Sequence, residues 1–187
     1  MESVTSRDGT TIAHETYGQG PPLITVCGAT CDRALMRPTA QALSQHFTTV
    51  NYDRRGRGDS GDTPPYAIDR EIEDIGALID KVGRPAHLYG HSSGASLVLH
   101  AVAAGLPVDR FVLHDPPYSP DDASSKEAAR SFAQGICGLL AEDKRAEAIE
   151  TWFRGTGMPT RCSKGCARPL GGRGWWHLRP PSPTTQR

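Results

Sequence analysis

HLYGHSSGASLVLH, residues 87–100, sets a serine between two glycines at the point where one hydrophobic pattern gives way to another. Ala86 to Tyr89 reads as a short strand, and SSGASLVLHAVAAG, from Ser92 onward, as a helix rich in small residues. A chain that turns directly from strand into helix forces the residue at the bend into a strained backbone conformation. Only glycine on either side leaves room for the two elements to pack. Gly90-His91-Ser92-Ser93-Gly94 meets that requirement. Ser92 is then exposed above the sheet at a helix N-terminus, where free amides and the helix dipole favour developing negative charge. The bare pentapeptide is equally compatible with a Gly/Ser turn that carries no chemistry; strand, turn and helix in register favour a nucleophile.

Outward from this bend, strands and helices alternate. SVTSRDGTTIAHETYG predicts two strands joined at Asp8-Gly9, a dipeptide that tolerates the positive φ of a tight turn. PPLITVCG is a short apolar strand, and DRALMRPTAQALSQHF a helix opened by an Asp32 cap, with Pro38 near its first turn. FTTVNYD is a strand that runs into the loop RRGRGDSG. IDREIEDIGALIDKVG puts Ile68, Ile72, Ile75, Leu78, Ile79 and Val82 on one helix face and stops at Gly83, and VDRFVLHD is a further strand. This order predicts an α/β fold of βαβ crossovers, a mostly parallel sheet covered on both faces, with ligands at the carboxyl ends of its strands. Beyond Pro116-Pro117 two helices, Ser124 to Leu140 and Asp143 to Phe153, follow with no strand between them and read as an insertion over the sheet edge. Residues 1–119 are therefore expected to form the core, 120–158 a helical cap segment, and 159–187 an irregular tail.

Composition narrows the function classes. A chain of 187 residues is one domain with a real core, or a larger domain cut short. No apolar run approaches the roughly 18 residues needed to cross a bilayer, and MESVTSRDGTTIAH has no apolar region behind a basic start. A cytoplasmic location without membrane association is expected. In a reducing compartment Cys27, Cys31 and Cys137 read as small buried thiols rather than a disulfide framework. The formal net charge of zero conceals an asymmetry, because residues 161–187 hold six of the 21 basic residues and no acidic one. Residues 1–160 then carry 15 basic and 21 acidic groups, a net of −6 that repels nucleic acid.

LITVCGA, NYDRRGRGDS and LYGHSSGAS, in that order, resemble the alpha/beta-hydrolase family, in particular its Gly-His-Ser-x-Gly branch of small esterase-like and haloperoxidase-like enzymes. The resemblance covers residues 1 to about 160. It implies a serine hydrolase acting on an ester or similar acyl bond of a small molecule, with Ser92 as nucleophile and the backbone N–H groups of Ala29 and Ser93 as oxyanion-hole donors. Family members usually carry His-Gly-x at the first motif. Here Cys27 replaces the His while Gly28-Ala29 is kept, and a main-chain donor survives a side-chain change. Neither metal nor organic cofactor is implied. The loop RRGRGDSG lacks the Lys-Ser/Thr ending of a phosphate cradle and reads as a structural turn, with Asp53 and the arginines tying loops together.

A nucleophilic serine needs a His to take its proton and an acid to orient that His, and in this family both follow the serine in the chain. His114-Asp115, at the carboxyl end of the strand after the bend, is better placed than the other histidines, and Asp115 is the candidate acid; the commoner position for the acid in the family is one strand later. His91 packs beside the serine or lines the site, whereas His14, His46, His87 and His100 are placed as structural residues. His177 follows Asp115 formally, but TRCSKGCARPLGGRGWWHLRPPSPTTQR has no periodicity and no acidic residue. Cys162, Cys166 and His177 lack the spacing of a zinc site. The excess of Arg, Gly, Pro, Cys and Trp after GTGMP is what a shifted reading of a GC-rich gene yields. The implied consequence is a truncated hydrolase that is inactive or weak, with a non-catalytic small-ligand binder or a non-functional fragment as the alternatives. Sequencing the source DNA is expected to show the tail out of frame with matching relatives; a tail in their frame ends that idea.

Overall fold

The computed structural model describes residues 1–83 and 85–157. β1 (Glu2–Thr5) and β2 (Thr11–Tyr17) form the expected hairpin, with Thr5 opposite Thr11. Its turn is closed by the Ser6 N–H donating to the Thr10 carbonyl at 2.8 Å, and by the Thr10 N–H donating to Asp8 Oδ1 at 3.0 Å. β3 (Pro22–Val26), α1 (Arg33–Leu43), β4 (Thr48–Tyr52), α2 (Ile68–Val82), β5 (Ala86–His91), α3 (Ser93–Ala103) and β6 (Val108–His114) follow. The six strands lie in the order β1-β2-β4-β3-β5-β6. β4, β3, β5 and β6 are parallel neighbours, and β2 joins β4 antiparallel.

Strand alternation sorts the side chains into two layers. Ile24, Val26, Val50 and Leu88 point into one core with Ile75, Leu78 and Ile79 of α2 and Leu97, Val98 and Ala101 of α3. Each fully buried aliphatic side chain of this kind contributes roughly 1.5–3 kcal/mol. Cys27, one residue beyond β3, joins Cys31, Met36 of α1 and Tyr89 in a second, smaller cluster. α1 starts where Asp32 accepts from the Leu35 N–H at 3.1 Å, the expected cap. Pro38 falls in the helix's second turn rather than its first, and so removes the N–H that would bond the Ala34 carbonyl.

The six apolar positions of α2 are not equally covered. Ile75, Leu78 and Ile79 are buried and Ile72 and Val82 partly so, but Ile68 is exposed. The buried face instead takes in two carboxylates, Glu71 and Asp74. Arg54 binds Glu71 through Nε at 2.5 Å and Nη2 at 2.6 Å. Arg55 binds Asp74 through Nε at 2.8 Å and Nη2 at 2.7 Å, and reaches Asp8 at 2.8 Å. Burial alone pushes the Glu71 carboxyl up, but the charge and hydrogen bonds of Arg54 outweigh it and hold the group below its ordinary value.

The sheet departs from the expectation of two covered faces at β6. Among the described residues this strand is an edge, and Phe111 and Val112 on it are exposed. The chain divides between Pro117 and Tyr118 into two compact units. In the second, α4 (Ala123–Ala141) starts at an Asp122 cap that accepts from the Ser125 N–H at 2.8 Å, one residue before the predicted start. α5 (Arg145–Gly155) begins two residues later than predicted, because Asp143 takes a left-handed conformation (φ 59°) and Lys144 caps the helix. α5 buries Ala148 and Phe153, and Gly155 lies against the Phe132 ring of α4. Cys137 is exposed, contrary to expectation, on a helix that fully buries none of its residues. No helix among the described residues is long and apolar enough to cross a membrane. The expected irregular tail, with Cys162, Cys166, His177 and the Trp175-Trp176 pair, lies outside the described residues.

Removing one partner of a buried ion pair strands the other charge, at a cost of about 3–5 kcal/mol, whereas an exposed pair is worth about 0–1 kcal/mol. Asp74→Asn is therefore expected to lower the urea-unfolding free energy by about 3 kcal/mol. Asp59→Asn, which breaks the half-exposed pair to Arg33, is expected to change it by less than about 1 kcal/mol.

Candidate active site

Ser92 links β5 to α3 with φ 53° and ψ −123°, a positive-φ conformation that non-glycine residues adopt at a cost of about 1–3 kcal/mol. The surrounding backbone imposes it. The Ser92 N–H donates to the His114 carbonyl at the end of β6 (2.9 Å), and the Ser92 carbonyl accepts from the Ala95 N–H (2.9 Å). The flanking glycines are required by close approach: a Cβ on Gly90 would sit 2.6 Å from Ala95 Cα, and one on Gly94 would sit 2.6 Å from the Cys27 carbonyl oxygen. α3 thus rests its first turn against the end of β3, which is what brings the next loop into range.

That loop, Cys27 to Cys31, passes directly over the serine. A Cβ built on Gly28 lies 3.1 Å from Ser92 Cβ and 3.3 Å from His91 Nδ1. The Gly28-Ala29 and Ser92-Ser93 peptides, far apart in sequence, therefore face a common space. Ser93 is the first residue of α3, so its N–H has no acceptor within the helix. Two arginines hold the loop through its carbonyls. Arg54 Nη1 donates to the Cys27 carbonyl and to Ser93 Oγ, both at 3.2 Å, and Arg57 Nη1 donates to the Gly28 carbonyl at 2.8 Å. Cys27 Sγ donates to the Cys31 carbonyl at 3.3 Å, and burial pushes its thiol up, so it stands here as a neutral packing group.

Asp115 follows β6 with φ 52°, one strand over from Ser92. Its carboxylate has no hydrogen bond or ion pair among the described residues. Beside it the parallel register pairs His91 with His114, and their rings lie 5.1 Å apart. His114 Nδ1 meets the Tyr89 hydroxyl at 2.5 Å. Burial and then the neighbouring His114 push the His91 imidazole down, so it is neutral at pH 7. The sequence reading placed His91 beside the serine and His114 with Asp115 at the end of the next strand, but missed Tyr89 as their neighbour. The only signal for Tyr89 was its common parity with His91 along β5. Of the other described histidines, His14 is buried in β2, and His87 of β5 packs edge-on against Phe47. Among the described residues no group of three or more His, Cys, Asp or Glu is placed to hold a metal ion.

Known proteins share this fold. The sequence model of the alpha/beta hydrolase family matches residues 23–184, and the chain belongs to that family. It is 35% identical over 138 residues to the N-formylmaleamate deformylase of Pseudomonas putida, covering 69% of this chain and 52% of that protein. It is 38% identical over 143 residues to the 2-(acetamidomethylene)succinate hydrolase of Mesorhizobium japonicum, covering 74% of this chain and 49% of that one. The crystal structure of an alpha/beta hydrolase from Sphaerobacter thermophilus, 44% identical, superposes with a TM-score of 0.77 over 90% of this chain and 66% of that one. The chain spans about half the length of the curated relatives it matches.

The positive φ at Ser92 carries its own test. Ser92→Gly relieves the strain and is expected to raise the unfolding free energy by about 1 kcal/mol. Gly94→Ala, which drives a methyl group into the β3 carbonyls, is expected to destabilise the fold by several times that amount. Paired thermal melts check both, and a Ser92→Gly variant less stable than the parent would contradict the strain.

Proposed function

We propose that this chain carries the nucleophile half of a serine hydrolase that cleaves an ester or similar acyl bond. Ser92 is the attacking residue, the backbone N–H groups of Ala29 and Ser93 are the oxyanion donors, Asp115 is the acid, and residues 120–158 are the start of a cap. The observation that carries this reading is the pairing of the strained Ser92 turn with a loop so close above it that a Cβ built on Gly28 would lie 3.1 Å from Ser92 Cβ. A tetrahedral intermediate formed at Ser92 Oγ puts its negative oxygen beside the loop, where preorganised amides stabilise it without reorganisation. The two curated relatives are named for N-acyl, carboxylate-bearing compounds, which supports an amide or imide as readily as an ester.

Attack by serine also needs a base, and none of the described histidines is placed for that role by its family position; His177 is the remaining candidate in chain order. Positioning and an oxyanion hole without a complete triad retain roughly 10³ to 10⁴-fold over water. The polypeptide is therefore expected to hydrolyse p-nitrophenyl acetate weakly and to take a fluorophosphonate label on Ser92 slowly. Both are expected to vanish in Ser92→Ala and to be unchanged in His177→Ala. Efficient turnover lost in both variants would overturn the assignment of an incomplete triad.

A further inference from the structure

Four arginines crowd the space between β4, α1 and α2, and one of them differs in kind. Arg33 pairs with Asp53, Asp59 and Glu15, Arg54 with Glu71, and Arg55 with Asp74 and Asp8. Arg57 has no carboxylate partner among the described residues. Its hydrogen bonds there go to backbone carbonyls of one loop, Gly28 at 2.8 Å and, at the limit of a hydrogen bond, Cys31 at 3.5 Å. Burial, and then the like charge of Arg54, push its pKa down from the ordinary arginine value. A half-buried guanidinium with no carboxylate bound to it costs the fold more than a solvated one, so its targets are informative.

We propose that Arg57 is a positioning residue for the oxyanion hole, holding the Gly28–Ala29 peptide so that the Ala29 N–H faces the oxygen that develops at Ser92. The inference rests on the reading of Ala29 as an oxyanion donor. A trans peptide is planar, with its C=O and N–H pointing in opposite directions. A clamp on the Gly28 carbonyl therefore fixes the direction of the Ala29 N–H. The clamp is needed because this plane turns about ψ of a glycine, which has no Cβ to restrict it. The loop leaves the site through Thr30 at φ 56°, so the chain on the far side of the peptide is itself strained.

The charge adds to the geometry. A carbonyl that accepts from a cation is polarised, and its peptide N–H becomes a stronger donor on the opposite face. Arg57 thus sits behind the peptide with its positive charge aligned with the site where negative charge appears. Arg54 holds the neighbouring Cys27 carbonyl in the same way, but Glu71 neutralises its charge through both of its forked nitrogens. The two arginines divide the work: one fixes the loop to the fold, the other loads the donor.

The test uses the 187-residue chain and its Arg57→Met, Arg57→Gln and Arg57→Lys variants. Fluorophosphonate labelling of Ser92 is resolved into a binding constant and a maximal rate, and the Gly28 carbonyl and Ala29 amide shifts are followed by NMR. Removing an oxyanion donor outright slows other hydrolases by about 10² to 10³-fold, so misdirecting one is expected to slow the maximal rate in Arg57→Met about tenfold or more. The binding constant is expected to hold and the two peptide shifts to move. Arg57→Lys, which keeps a charged donor, is expected to recover most of the rate; Arg57→Gln, a donor without charge, is expected to recover the shifts but not the rate. Labelling of Arg57→Met and Arg57→Gln at the parent rate overturns the proposal, as do unchanged shifts in every variant. If the parent chain takes no label at all, the hydrolase reading fails instead, and the shifts alone decide whether Arg57 holds the peptide. Should Arg57→Met fail to fold, the Lys and Gln variants carry the same comparison.

Discussion

Two buried guanidinium–carboxylate forks, Arg54 with Glu71 and Arg55 with Asp74, decide where the loop after β4 can lie. Both side chains of each pair are almost fully out of water. Taking such charges from solvent costs several kcal/mol per ion, recovered only when the fork geometry is met, so the loop has one place to dock and a penalty everywhere else. Adjacent Asp53 extends the junction: it accepts the backbone N–H groups of Arg33 at 2.8 Å and Asp59 at 2.9 Å, joining the start of α1 to the same loop. Asp8 of the hairpin turn closes on Arg55, and that charge and hydrogen bond hold its carboxyl well below the usual range. One loop therefore ties α1, α2 and the hairpin, and from that anchored base two arginines reach the end of β3. The position of the loop above Ser92 is a consequence of ion pairs formed on the far side of it.

This dependence explains what could be read from the sequence and what could not. The strands and helices of residues 1–114 were legible because each follows a local rule: Asp8-Gly9 turns, Asp32 caps, Ile75, Leu78 and Ile79 recur at helical spacing. The elbow was legible because its glycines and serine are adjacent in the chain. Glu71 and Asp74 were not, since a carboxylate in an amphipathic helix ordinarily marks the solvent face. Here they lie 17 and 19 residues from their partners, so only the folded chain shows them facing inward. The count of arginines in RRGRGDSG hinted at buried pairing without saying which arginine would be left over.

The exposed β6 was unreadable for a different reason. VDRFVLHD has the composition of a covered parallel strand, yet Phe111 and Val112 are exposed among the described residues. A strand's own sequence reports the environment it suits, not whether a neighbour supplies it. The same holds for Asp115, whose place after β6 says nothing of what faces its carboxylate.

Among the described residues local rules are broken at few positions, and most of the breaks cluster. Ser92, Thr30, Asp115 and Asp143 are the non-glycine residues at positive φ there, and Arg57 is a half-buried charge with no carboxylate bound to it among them. Ser92 and Thr30 lie on the two segments that meet at Gly28, Arg57 donates to the Gly28 carbonyl, and Asp115 follows the strand whose His114 carbonyl accepts from the Ser92 N–H; Asp143 stands in the turn between α4 and α5. Strain scattered at random would argue for a poorly adapted fold. Strain gathered mainly in one corner, and held there by buried ion pairs and a conventional core, argues that the fold sustains it where the proposed oxyanion donors lie.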